Sequence, residues 1–450
     1  MIFRTCAITV TILSLIFFTH LPALAEMAPR EFLSGYAGSL PADPSLRART
    51  YFNNPDVRRL IYQLESGPLT NIEVNKALKG SDVEIDDLIR VRLIQEKDGY
   101  FYIAFNYFTA DDMRAVHEAT EKYIPRLVAA YAAKDDEFNT ILSSYSQRSV
   151  KTGLLKFVLI AGMSLNWDGL DITLDKEMRR TNFVSGDNPD GGEWQYSFWA
   201  AERVDGHSNK GYFWGSSTFP GGPFNFADNP VDFSFSSFGD PYSDPRMNFP
   251  DLLYIPGDKM PEAVRGHAQK IGLADREELG VSLENALGLE LARPVSAILF
   301  ALREKPHDFE ELYKASGITE KERTAAVLDL LVEIGYIEKQ DKNYVLIAPV
   351  FDYADAEMLN AALKLSRNIV ADWLDENYTL IRDDLSGLTG MENGVPYESL
   401  FTQIWHEFFG RATHDLVAAG LLEDPYGPAI RYQGSFSLLW RMRLYDFTPG

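Results

Sequence analysis

The chain has 450 residues, 65 acidic and 43 basic side chains and a net charge of −22, with 46% hydrophobic and 24% charged residues. That balance is globular and excludes a disordered tail or a collagen-like fibre. A single cysteine, Cys6, rules out a disulfide framework within the chain and argues against a Cys-ligated zinc site and Cys-nucleophile chemistry.

Residues 1–25 have the layout of a secretory leader. Arg4 supplies a positive start, residues 7–18 are almost wholly apolar, and Ala23-Leu24-Ala25 offers a small-x-small cleavage site before Glu26. The apolar run falls short of the roughly 20 residues of a membrane span, and His20 and Pro22 interrupt its end. Cleavage after Ala25 removes Cys6 and leaves no cysteine for lipid attachment. The expected product is periplasmic or secreted and meets no membrane; a retained leader acting as an anchor is the alternative.

From residue 54 the local signals run helix, helix, helix, hairpin. Asn54-Pro55 is an N-cap followed by proline at the first helical position, and it opens a helix through Leu60 and Ile61. Thr70-x-x-Glu73 is a capping box for a second helix that ends near Gly80. Ser81-x-x-Glu84 is a box for a third, whose Ile85, Leu88 and Ile89 share one face as core. Two short strands then flank Asp98-Gly99, a hairpin-turn dipeptide. A long helix is expected from Ala110 to Ala133, and a strand at Tyr196–Phe198.

Asp187-x-x-Asp190-Gly191-Gly192-Glu193 is a carboxylate-rich turn. Asp187, Asp190 and Glu193 are candidate ligands for a hard cation such as Ca²⁺, without the alternating pattern of an EF-hand; a solvated turn is the alternative. Residues 206–293 are rich in Gly, Pro and aromatic rings and read as an irregular linker. Trp194, Trp199, Tyr212, Trp214, Phe233 and Phe235 are candidate ligand-contacting rings, because exposed rings give large contact area at low entropy cost. The competing reading is a cap packed onto its neighbours. Val231, Phe233 and Phe235 alternate as in a strand.

The pattern then returns. A helix is expected over Ser296–Leu302 and another over Phe309–Ala315. Thr319-x-x-Glu322 caps a third, with Val327, Leu328 and Leu331 inward and Gly335 as its stop. A hairpin follows over residues 336–347, then a long helix from Ala354 to Asn377. Phe436, Leu438, Trp440, Met442 and Leu444 alternate as a strand. His406 and His414, in the densest histidine cluster, lie eight residues apart, which on a straight helix is about 12 Å of rise, too far to share a metal.

Ordered matches join the two halves. Ile94 corresponds to Ile337, Ile103-Ala104 to Ile347-Ala348, Ala110-Asp111 to Ala354-Asp355, Phe138 to Tyr378, Ser197 to Ser437 and Arg203 to Arg443, all spaced by about 240 residues. The expected fold is therefore mainly α with short β-hairpins (α+β), in two duplicated units. The first covers 50–205, with its three-helix and hairpin part at 54–105; the second covers 294–450, with that part at 295–348. Three helices and a hairpin resemble the winged helix-turn-helix fold, in the style of the small bacterial ArsR- and MarR-type regulators. The long helix after the hairpin often builds the dimer interface in those families, so the resemblance implies an intramolecular pseudo-dimer.

The resemblance also implies DNA binding, but the charges oppose it. Asp82, Glu84, Asp86 and Asp87 outnumber Arg90 and Arg92 in the first third helix, and Glu320, Glu322, Asp329 and Glu333 outnumber Lys321 and Arg323 in the second. No Gly-x-Ser-x-Gly elbow, phosphate-binding loop or dinucleotide fingerprint is present. The expectation is an exported, soluble binding or assembly protein with no cofactor, taking a protein or small-molecule partner and no nucleic acid, with the enzymatic question left open and leaning against catalysis. A secreted hydrolase with a carboxylate-based site near the linker is one alternative. A membrane-tethered DNA-binding regulator is the other.

Overall fold

The computed structural model describes residues 30–165, 182–204, 214–215, 234–238, 292–423 and 436–440, except positions 148, 188, 190–192, 203, 334–335 and 352. The leader, Asp190, Tyr212, Val231, Phe233, Gly335, Met442 and Leu444 lie outside the described residues. What is described is mainly helical with small sheets, an α+β architecture. Among the described residues no helix is long and apolar enough to cross a membrane.

Strand β1 (Phe32–Ser39) and the short helix α1 (Ala48–Phe52) precede α2 (Pro55–Glu65). The Asn54 side chain accepts from the Asp56 N–H, and Pro55 stands at the first position. The face of α2 carrying Val57, Leu60, Ile61 and Leu64 is buried. Strand β2 (Leu69–Thr70) leads into α3 (Asn71–Ala77), which opens on the Thr70/Glu73 capping box. Helix α4 (Ile85–Arg90) starts later than expected: Glu84 is its N-cap without a side-chain bond, and the Ser81 hydroxyl accepts from the Val83 N–H instead. With six residues α4 buries only Leu88 fully. Ile85 is partly buried and Ile89 is 36% exposed, so the expectation of Ile89 in the core is corrected. Strands β3 (Ile94–Lys97) and β4 (Tyr100–Ile103) close over Asp98 and Gly99, both at positive φ, the geometry of a tight two-residue hairpin turn. The sheet order is β2-β4-β3.

Strand β5 (Asn106–Phe108) precedes the long α5 (Ala110–Ala132), α6 (Asp135–Leu142) and the apolar α7 (Thr152–Leu159), which runs on as a π-helical turn through Ser164. Strands β6 (Val184–Asp187) and β7 (Glu193–Glu202) follow. In their sheet β7 pairs antiparallel with β1 and β6, and parallel with β5.

After β8 (Trp214–Gly215) and β9 (Ser234–Phe238) comes a second run with the same order of elements. It comprises α8 (Ala292–Glu304), β10 (His307–Asp308), α9 (Phe309–Ser316), α10 (Lys321–Glu333), β11 (Ile337–Gln340), β12 (Asn343–Leu346) and β13 (Val350–Phe351). Its small sheet has the order β10-β12-β11, and α9 opens on an Asp308/Glu311 capping box. Helix α11 (Ala356–Asp384) extends beyond the expected end at Asn377; α12 (Thr389–Glu392), α13 (Tyr397–Ala418) and β14 (Phe436–Trp440) complete the run. Strand β14 pairs parallel with β13 and antiparallel with β9.

Helices α5 and α11 pack antiparallel. Lys122 and Tyr123 bond to Asp384, the Trp373 indole donates to the Tyr123 carbonyl at 3.3 Å, and the Tyr131 hydroxyl lies 2.6 Å from Ser366 Oγ. One apolar core joins α5, α7, α11 and α13 to the second run's three helices. A separate core lies under α2–α4 and β7.

Candidate functional site

The face on which a three-helix and hairpin module would meet a partner is formed in the first run by α3, α4 and the β3–β4 hairpin. Its arginines, Arg90 and Arg92, are engaged within the protein, while Lys76, Lys79 and Lys97 stand exposed. The Arg90 guanidinium lies 2.7 Å from the Asp87 carboxylate and also donates to the Tyr51 hydroxyl at 3.2 Å. Arg92 takes a left-handed backbone conformation and donates to the Phe183 carbonyl at 3.2 Å, which turns it toward β6. The acids Glu73, Asp82, Glu84, Asp86, Glu96 and Asp98 stay exposed. On these elements stand three exposed apolar side chains, Ile72 at 81%, Tyr100 at 45% and Ile89 at 36%.

The ring candidates that fall within described side chains are packed. Trp194 and Trp199 are each 8% exposed. Each faces a glycine across its strand pair, Gly186 and Gly35, and the indole covers that glycine. Trp194 also stacks on Tyr196 at a centroid distance of 5.8 Å. Trp214 lies in β8 and Phe235 in β9. Of the cation candidates, Asp187 and Glu193 face each other across the β6–β7 pair, both exposed. Among the described residues no group of three or more His, Cys, Asp or Glu is placed to hold a metal ion. Helix α13 runs unbroken through Gly410, so His406 and His414 stay apart. His406 Nδ1 lies 3.0 Å from the Thr402 carbonyl, and burial lowers its pKa.

Two polar clusters have no local signal in the sequence. In the first, Arg30 donates two bonds to each of the Glu65 and Glu202 carboxylates, while Tyr107 donates to Glu65 and the Ala110 N–H at the start of α5 donates to Glu202 at 2.9 Å. The Arg30 guanidinium also lies over the Phe32 and Tyr62 rings. Burial opposes the charge on Glu202, but the bonds from Arg30 and Ala110 outweigh it and hold the carboxyl below its ordinary range. Burial and the neighbouring Glu65 carboxylate push the Tyr107 phenol well up, so it remains a donor. These bonds tie the chain ahead of β1 to α2, β7 and α5.

The second cluster lies between the two runs. The Tyr145 hydroxyl accepts from the Val350 N–H at 3.1 Å and donates to the Val350 carbonyl at 2.8 Å. Asn393 accepts from the Ile103 N–H at 3.0 Å, and Asn106 donates to the Ser399 carbonyl at 3.2 Å. Each run thus bonds to the other run's hairpin or the strand after it.

No family model, curated protein or solved structure matches this chain.

Proposed function

We propose that the chain is an exported binding or assembly protein built from two winged-helix modules, joined as an intramolecular pseudo-dimer. The observation that carries the reading is the state of the bases on the first module's outer face. Arg90 and Arg92 are committed to Asp87, Tyr51 and Phe183, and the exposed acids Glu73, Asp82, Glu84, Asp86, Glu96 and Asp98 outnumber the exposed lysines Lys76, Lys79 and Lys97. A face of that kind repels phosphates and suits a protein or peptide partner.

Strand register supports the duplication. Asn106 faces Trp199 in the β5–β7 pair. Their counterparts under the sequence repeat, Val350 and Leu439, face each other in the β13–β14 pair. The order helix, short strand, helix, helix, hairpin and the middle position of the hairpin's second strand in its sheet recur as well. The antiparallel α5–α11 contact supports the pseudo-dimer, because matching surfaces associate most simply about a two-fold axis. The leader pattern of residues 1–25 supports export.

Chemical cross-linking in the periplasmic or extracellular fraction, followed by identification of the captured species, tests the reading. A reproducible protein partner is the expected result. A well-folded bait that captures nothing, or that retards a DNA duplex at physiological salt, overturns it.

A further inference from the structure

We infer that the first module docks a short basic segment bearing a large apolar residue, at the surface marked by Ile72 and Tyr100; this rests on the binding-protein reading above. Ile72 is the second residue of α3. Two residues earlier stands its N-cap Thr70, whose cross-strand partner is Tyr100. Both side chains are large, apolar and open to solvent, at 81% and 45%.

The second run provides an internal control. Asp308 caps α9 as Thr70 caps α3, and Asp308 faces Asn343 as Thr70 faces Tyr100. The residues at the Ile72 and Tyr100 positions there are Glu310 and Asn343, and Glu310 pairs with Lys321 at 2.5 Å. The same local fold therefore forms with a glutamate and an asparagine. Folding does not require the isoleucine and the tyrosine, and an exposed apolar pair opposes solubility. A contact made by this module alone accounts for them.

Charge and size select the occupant. Lys97 faces Tyr100 across the hairpin and Lys76 stands one turn beyond Ile72, but Glu73 adjoins Ile72, Asp98 lies in the hairpin turn, Glu96 is in β3, and Asp82, Glu84 and Asp86 lead into and along α4, all exposed. The exposed bases of that stretch are Lys76, Lys79, Lys97 and Arg90, and Arg90 is paired with Asp87. The excess is acidic, as is the whole chain at −22. A second copy would bring the same charge, and a patch marked by two side chains is far below the roughly 800 Å² per partner of a stable dimer. A basic peptide segment whose apolar side chain seats between Ile72 and Tyr100 satisfies both constraints.

The test uses a short fluorescent peptide with leucines set between paired lysines, read by anisotropy on the intact protein. One version replaces lysine with glutamate and another replaces leucine with serine. The protein variants are Ile72→Glu and Tyr100→Asn, the residues the second run carries, with the thermal unfolding midpoint as the folding control. The expected result is one lysine–leucine peptide per chain and little binding of the other two. Ile72→Glu should weaken binding about tenfold or more, equivalent to about 1.4 kcal/mol, with unfolding unchanged. Hydrogen exchange should slow at residues 69–73 and 98–101 on adding the peptide. Equal affinity of Ile72→Glu and wild type overturns the inference and leaves the binding-protein reading standing. Equal binding of the glutamate peptide, or no binding of the lysine–leucine peptide by wild type, also overturns it. Retardation of a DNA duplex by the intact protein alone at physiological salt overturns both.

Discussion

Replacing Arg30 tests whether the first cluster is a clamp. In Arg30→Ala the Glu65 and Glu202 carboxylates lose their shared counter-ion, and these side chains are only 19% and 14% exposed. Breaking a buried pair by removing one partner costs about 3–5 kcal/mol. Partial solvent access and the remaining donors, Tyr107 and the Ala110 N–H, reduce that to about 2–4 kcal/mol. Urea unfolding followed by fluorescence measures the loss. Arg30→Met keeps an apolar stem over Phe32 and Tyr62 and should lose nearly as much, because charge and hydrogen bonds dominate. Adding Glu65→Gln and Glu202→Gln to Arg30→Met should restore part of the stability by removing the unpaired charges. A loss within about 0.5 kcal/mol of zero, the range of an ordinary surface substitution, refutes the clamp.

The pH dependence follows from Glu202. Its folded pKa is lowered, so its contribution is fully present above the unfolded value, about 4.3, and is lost as pH falls through the folded one. Wild type should lose stability in acid titrations below about pH 4, and Arg30→Ala should lose less over that window. Gly35→Ala places a Cβ 2.5 Å from the Trp199 ring and should cost about 1–3 kcal/mol, with a shift in tryptophan emission. Tyr145→Phe leaves the Val350 N–H without the Tyr145 oxygen and should cost about 1–3 kcal/mol by urea unfolding. Because one core spans α5, α7, α11, α13 and the second module, calorimetry on Tyr145→Phe should move that whole body as a single transition. A separate early transition of α8–α10 would contradict the shared core.

Helix starts were legible where the signal is local. Asn54, Thr70 and Glu73 bond as their spacing predicts, because a cap needs only residues within one turn. Ser81 carried the same pattern and failed, since its hydroxyl also reaches the Val83 N–H and that turn holds the chain out of helix until Ile85. The shortened helix then misplaced Ile89, whose face was read from a longer one. The buried tryptophans had a faint signal, a glycine opposite each in a strand pair, but pairing Gly35 with Trp199 requires knowing a long-range register. The Arg30 cluster had none, because Glu65 and Glu202 lie 35 and 172 residues away.

On the duplicated reading, fusion explains why the two modules differ. In a dimer of identical chains, every substitution on one outer face appears on the other. In a single chain each copy drifts alone. The second module's third helix, α10, has buried Ala326, Val327, Leu328, Leu330 and Leu331 into the core it shares with the long helices. The first module keeps a core of its own, an α4 in which only Leu88 is fully buried, and the exposed Ile72 and Tyr100. On that reading the shared core falls to one copy and the proposed contact to the other. It also sets the direction of a reciprocal experiment: Glu310→Ile with Asn343→Tyr should raise the number of lysine–leucine peptides bound per chain, since the backbone that presents the pair is already in place.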